Sequence, residues 1–96
     1  MKTLPDEVQH YKSTPVFTEH TAPKRLLKDH NTKNGVWGLI CVNKGKVEYV
    51  IENKEVYTLS PDQKGVVEPE IRHHIKPLGA VSFFIKFYKR PFNNSN

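Results

Sequence analysis

Two histidine-bearing segments contain the residue types best suited to chemistry in this chain. They read His30-Asn31-Thr32-Lys33-Asn34-Gly35-Val36-Trp37-Gly38 and Val67-Glu68-Pro69-Glu70-Ile71-Arg72-His73-His74. Imidazole nitrogens and carboxylate oxygens suit zinc, iron, manganese or nickel, and three protein ligands leave a coordination position for water or substrate. The two segments therefore predict a metal or small-ligand pocket if the fold brings them together.

The length and composition predict one small folded domain. With 96 residues, 36% of them hydrophobic and 26% charged, the chain is too rich in strand formers to be disordered. We expect a single domain over residues 1–96, with a core from about residue 11 to residue 90 and polar, flexible ends.

The basic charge raises the question of nucleic acid as a partner. Fifteen Lys and Arg residues against ten Asp and Glu residues give a net charge of +5. The lysines are scattered, however, and no arginine-rich run or recognition-module signature accompanies them, which favours lysines that guard strand edges and turns. We predict no nucleic-acid partner.

The cysteine count and the hydropathy bear on the compartment. Cys41 is the single cysteine, so no intramolecular disulfide is possible, and its apolar neighbours favour a buried structural thiol over a nucleophile. The amino terminus has no apolar stretch of signal-peptide length, and no run of about 18 apolar residues occurs. We predict a cytoplasmic protein with no membrane partner.

Alternation at period two predicts β-strands along most of the chain. One face of each of two runs is apolar, formed by Val47, Tyr49 and Ile51 in one and by Val81, Phe83, Ile85 and Phe87 in the other. Turn signals separate the runs, and Asn43-Lys44-Gly45 is typical of a hairpin. Closely spaced strands favour a sandwich or a closed barrel, since closure removes unpaired edges.

The same alternation predicts where His73 points. His73 shares a strand face with Ile71 and Ile75, whereas His74 lies on the other face. A buried imidazole needs a partner, because unpaired polar atoms cost about 1–3 kcal/mol. A backbone carbonyl, a water molecule, or a metal ion shared with His30 and Glu68 would each satisfy it.

Other aromatic and histidine positions have several interpretations. Trp37 is a candidate core or pocket-wall aromatic that could also stack on a ligand. Phe84 and Tyr88, opposite the inward stripe, predict a homodimer contact through this sheet face, with packing of the tail as the alternative. His10 and His20 lie in polar surroundings and are expected at the surface.

The motifs resemble the amino-terminal domain of tellurite-resistance TehB proteins and their small stand-alone relatives. The resemblance rests on His30-Asn31-Thr32-Lys33-x-Gly35-x-Trp37-Gly38, Lys44-Gly45-Lys46 and Val67-Glu68-Pro69-x-x-x-His73, and it extends from about Tyr11 to Tyr88. It implies an all-β, cupin-like double-stranded β-helix, or jelly-roll barrel, whose ligand cavity lies between two sheets.

Carried onto this chain, the resemblance implies a pocket with named residues. His30 and His73 match the family's two histidines, Glu68 its Glu-Pro pair and Trp37 its Gly-x-Trp-Gly element. The general cupin motif, with a His-x-His pair and a downstream glutamate, is incomplete, since Gly38 stands near the place of that glutamate. From the match to the family's own residues, the resemblance implies that His30, His73 and Glu68 are metal ligands for zinc, iron, nickel or manganese. It also implies that Trp37 lies in the ligand pocket.

The resemblance also directs the functional prediction. TehB methyltransferases carry a separate S-adenosylmethionine-binding domain, and this chain has no glycine-rich fingerprint for such a site. We expect a binding or sensing module implicated in resistance to tellurite or related chemical stress, which holds a metal ion, a small molecule or an oxyanion. The alternatives are a metal-dependent cupin enzyme, with unknown substrate and catalytic residues, and a barrel that binds nucleic acid or protein.

Overall fold

Nine β-strands and one short 3-10 helix make up the computed structural model of the chain, which describes residues 1–28 and 30–91. In chain order these elements are β1 (Gln9–Ser13), β2 (Phe17–Thr18), the 3-10 helix (Lys24–Leu27), β3 (His30–Asn31), β4 (Trp37–Lys44), β5 (Val47–Ile51), β6 (Glu55–Leu59), β7 (Gly65–Val67), β8 (Arg72–Pro77) and β9 (Ser82–Lys89). The predicted all-β class is confirmed.

The strands form two antiparallel sheets. The first has the order β1-β9-β4-β7, with β2 also paired to β9, and the second has the order β3-β8-β5-β6. Across the described ranges no strand pairing joins the two sheets, so these residues form a two-sheet arrangement rather than the predicted closed barrel. None of the described helices is long and apolar enough to cross a membrane.

The turn at Gly45 connects the two sheets, and the predicted hairpin at this point is wrong. β4 pairs with β7 and β9, whereas β5 pairs with β6 and β8. The apolar faces of both strands are buried between the sheets, which requires the chain to cross from one layer to the other here. The hairpin lies one turn later, between β5 and β6, where Asn53 has a φ of 60°.

Alternating apolar residues from both sheets fill the core, as their period predicted. Val47, Tyr49 and Phe83 have no exposed surface, and Ile85 is 5% exposed. The largest fully buried side chains are Tyr49, Phe83, Ile40, Leu59, Ile75 and Val47. Burial of each such aliphatic or aromatic side chain contributes about 1.5–3 kcal/mol, so this inner layer holds the two sheets together.

Substitution of Gly45 tests the crossover turn. Gly45 and Gly35 both have positive φ, 79° and 75°, but an added Cβ at Gly45 would collide with the Ala80 carbonyl oxygen, whereas at Gly35 it would meet nothing within 4 Å. We expect Gly35→Ala to lower the free energy of unfolding by about 1 kcal/mol, because alanine is strained at a positive φ. Gly45→Ala should cost about 3 kcal/mol, because the clash adds to that strain. Urea titrations followed by circular dichroism would measure both, and equal losses would contradict this account of the turn.

Candidate functional site

The pairing of β3 with β8 brings the two predicted histidines together. His30 is the direct cross-strand partner of His73, and Asn31 is the partner of Arg72. Directly opposed residues in antiparallel strands have Cβ atoms about 4.5–5.5 Å apart and project to the same face. The two imidazole centroids are 5.1 Å apart with an interplanar angle of 80°. His30 therefore lies in a short strand.

His73 is the buried member of this pair, as alternation predicted. Its side chain is 3% exposed, and its Nδ1–H donates a hydrogen bond to the Ile71 carbonyl oxygen at 3.0 Å. Because a carbonyl oxygen accepts and never donates, Nδ1 carries the proton of the neutral ring and Nε2 keeps a lone pair. His74 lies on the opposite face, where its Nδ1 donates to Glu52 Oε2 at 2.8 Å.

Both histidines of the pair are held in the neutral state. Burial lowers the pKa of His73, and positive charge on His30 lowers it further, against the opposing effect of the Ile71 hydrogen bond. Burial also lowers the pKa of His30, with a smaller contribution from the nearby Arg25 guanidinium. Near pH 7 the pair therefore presents neutral imidazoles, the protonation state that binds metals.

A small cavity of about 10 Å³ adjoins the histidine pair. Its lining consists of His30, Thr32, Gly38, Val67, His73, Ile85 and Phe87. A space of this size is close to the minimum for one water molecule. Gly38 packs closely against this lining, since an added Cβ would lie 3.3 Å from Val67 Cβ.

Thr32 is a cavity residue that the sequence reasoning did not identify. It is 7% exposed and lines the small cavity together with both histidines. The spacing from His30 could have predicted this, because Thr32 follows two residues later and alternate residues of an extended segment project to the same side.

Two open clefts lie outside the small cavity, and His30 lines both of them as well. Their volumes are about 240 and 290 Å³. Both clefts share four residues, Lys12, Arg25, His30 and Phe87. His30 thus has access to bulk solvent, whereas His73 lies behind it.

Glu68 lies away from the histidine pair. It faces a separate cavity of about 400 Å³, together with Tyr49 and Glu55, and its Oε1 is 3.4 Å from Lys2 Nζ. Among the described side chains, no group of three or more His, Cys, Asp or Glu residues is placed to hold a metal ion. The structure therefore brings together two of the three predicted ligands.

The predicted aromatic positions lie on the outer face of the first sheet. Trp37 is the cross-strand partner of Tyr88, and Cys41 is the partner of Phe84. Trp37, Phe84 and Tyr88 are half-buried, on the side of the sheet opposite Gly38 and the small cavity. A ligand contact for Trp37 and a homodimer through Phe84 and Tyr88 stay predictions.

Cys41 is a structural thiol in this sheet. It is 5% exposed, as its apolar neighbours predicted, and burial raises the pKa of the thiol. A thiol with a raised pKa is a poor nucleophile.

The chain also matches a recognised sequence family. The family model described as a TehB-like domain matches residues 12–85. This chain belongs to the TehB-like domain family. The match includes His30 and His73, together with all but the ends of the two sheets.

Relatives of the chain include both long and short proteins. The chain is 33% identical over 81 residues to the probable S-adenosyl-L-methionine-dependent methyltransferase TehB of Haemophilus influenzae strain 10810, covering 78% of this chain and 28% of that protein. It is 28% identical over 102 aligned positions to the protein YeaR of Escherichia coli K12, covering 95% of this chain and 86% of YeaR. The chain thus spans about a third or less of the TehB protein and most of YeaR.

Crystal structures of similar proteins have the same fold. A protein from Escherichia coli K12 superimposes with a TM-score of 0.89 at 27% identity, covering 96% of this chain and all (100%) of that one. TehB from Haemophilus influenzae superimposes with a TM-score of 0.81 at 30% identity, covering 88% of this chain and 32% of the TehB chain. The two-sheet architecture therefore occurs both in a chain of similar length and within the longer TehB chain.

The lowered pKa of His73 predicts a pH dependence of stability. A histidine whose pKa is lower in the folded than in the unfolded chain favours folding above pH 6.5, and this contribution is lost as pH falls toward the folded value. The loss is at most about 1.4 kcal/mol per pH unit for one proton. We expect His73→Gln to show a smaller drop in melting temperature between pH 7.5 and pH 5 than the unsubstituted protein. His10→Gln, at an exposed position, is the control, and equal drops in all three proteins would contradict this role of His73.

Proposed function

We propose that this domain is an ion-binding module in which His30 and His73 hold a divalent metal ion. The single observation that carries the proposal is the direct cross-strand pairing of two histidines whose pKa values are both lowered. Zinc, iron, nickel and manganese bind neutral imidazole, so such a pair would release few or no protons when a metal ion binds near pH 7.

The hydrogen bond from His73 supports this assignment. Metal-binding histidines commonly donate their second ring N–H to a carbonyl or carboxylate, which sets the tautomer and the ring orientation. His73 already makes such a bond to Ile71, with Nε2 as the remaining ligand atom. Because Glu68 lies elsewhere, the other coordination positions belong to water or to a bound ligand in this proposal.

A cupin-like jelly roll is the proposed description of the fold. The strand orders β1-β9-β4-β7 and β3-β8-β5-β6 support it, because each sheet alternates early and late strands, as folding a long antiparallel ribbon over itself requires. In this description the histidine pair lies on the inner face of the second sheet, toward the space between the layers.

A metal-dependent enzyme of unknown substrate is the second candidate. The clefts of about 240 and 290 Å³ beside His30 favour it, since they would let a small molecule reach an open position on a metal. The catalytic residues of such an enzyme are not assigned.

Metal binding can be measured by calorimetric titration of chelator-treated protein with zinc, nickel and manganese. We expect about one ion per chain and at least a tenfold loss of affinity in both His30→Ala and His73→Ala. His74→Ala, which alters the neighbouring imidazole on the opposite face, is the matched control and should bind as the unsubstituted protein does.

The pH dependence separates a metal ion from an oxyanion at the same histidines. Metal binding weakens as pH falls through the lowered pKa values, because protons compete for the imidazoles. Oxyanion binding would strengthen over the same range. Failure of all three metals to bind at pH 7.5 would rule out the proposal.

We also propose that the pocket acts in resistance to tellurite or related chemical stress, which the family relationship to TehB supports. Cells that produce this chain should tolerate a higher concentration of tellurite than cells that produce the His30→Ala, His73→Ala double variant at equal protein level. His74→Ala should behave as the unsubstituted chain. If cells that produce the double variant tolerate tellurite as well as cells that produce the unsubstituted chain, resistance does not depend on this pocket.

A further inference from the structure

The clefts beside His30 are lined by positively charged side chains. Lys12 and Arg25 line both clefts, and Lys33 lines the larger one. These cations come from β1, the 3-10 helix and the turn after β3, three segments that are separate in sequence. Their convergence on one surface depression is a property of the tertiary structure.

These cations are available to a ligand. Among the described residues, Lys2 pairs with Glu68 and Arg90 with Glu7, and His20 and His74 contact Glu19 and Glu52. None of these contacts involves the three cleft cations. Lys12 Nζ lies 5.3 Å from the centroid of the Phe87 ring. That ring positions the ammonium group without neutralising it.

The same clefts have apolar walls. Phe17, Leu26 and Ile85 line the smaller cleft, and Val36 lines the larger one. Phe87 is common to both clefts and to the small cavity at the histidine pair. Small-molecule sites typically combine a largely apolar wall with a few convergent polar groups.

We propose that the two clefts, at the residues they share, bind a small organic anion, a carboxylate with an aromatic or branched apolar body. The carboxylate contacts Arg25 and Lys12, and the apolar body packs against Phe87. A ligand of this class would occupy the space next to the proposed ion site. The role of His30 rests on that proposed function, because His30 lines the clefts as well as the small cavity at the histidine pair. An inorganic oxyanion would use the cations but leave the apolar walls without a partner.

The ligand class can be tested with benzoate as the probe. Two-dimensional NMR titrations would use three compounds, benzoate, the uncharged isostere benzamide and inorganic phosphate, each with chelator-treated and with zinc-treated protein. We expect benzoate to bind both preparations at least tenfold more tightly than benzamide or phosphate. The largest shifts should occur at the amides of Arg25, His30 and Phe87.

Two glutamine variants provide the matched comparison. Arg25→Gln removes a cleft cation and should weaken benzoate binding at least fivefold, whereas Lys54→Gln removes an exposed cation from the 400 Å³ cavity and should leave it unchanged. Circular dichroism would check that both variants fold. Benzoate binding to chelator-treated protein supports the cleft even if the metal titrations fail. The proposal is overturned if benzoate binds only in the presence of zinc and still binds the Arg25→Gln variant. It is also overturned if benzamide or phosphate binds as tightly as benzoate.

Discussion

The buried ring of Tyr49 joins the parts of this molecule that matter for its site. Tyr49 has no exposed surface, and its hydroxyl donates to the Val66 carbonyl oxygen at 3.2 Å, from β5 of one sheet to β7 of the other. Burial raises the pKa of this hydroxyl far above its usual range, so it remains a donor at any ordinary pH. One such hydrogen bond contributes about 0.5–1.5 kcal/mol, and the ring adds its burial to the core.

His73 takes its environment from this arrangement. Its ring centroid is 5.7 Å from that of Tyr49 and 5.1 Å from that of His30, so the imidazole lies between the core and the solvent-accessible histidine. The Ile71 carbonyl settles its tautomer, and burial keeps it neutral. A neutral imidazole with one assigned donor and one free lone pair is thus a consequence of core packing.

The two sides of the core differ in charge. The 400 Å³ cavity contains Glu55 and Glu68 together with Lys2 and Lys54, so its charges are mixed. The clefts beside His30 contain Lys12, Arg25 and Lys33. An anion that approaches His30 through these clefts therefore meets a positively charged surface. The same fold occurs within the TehB chain and in the Escherichia coli K12 protein of similar length, so this asymmetry can be compared between a longer and a shorter relative.

Local periodicity in the sequence determined which face each strand residue occupies. It placed His73 inward beside Ile71 and Ile75, put His74 on the opposite face, and identified the apolar stripes of β5 and β9. These predictions succeeded because successive side chains of a strand alternate by covalent geometry, whatever the strand pairs with.

Pairing between distant segments was decided only by the tertiary structure. Turn chemistry at Gly45 indicated a reversal of the chain but not that it leads into the other sheet. The opposition of His30 and His73 depends on a two-residue strand that has almost no periodicity of its own. Glu68 is adjacent to Val67 and so projects away from the small cavity that Val67 lines. Register across about forty residues is set by the packing of two whole sheets, and local sequence does not specify it.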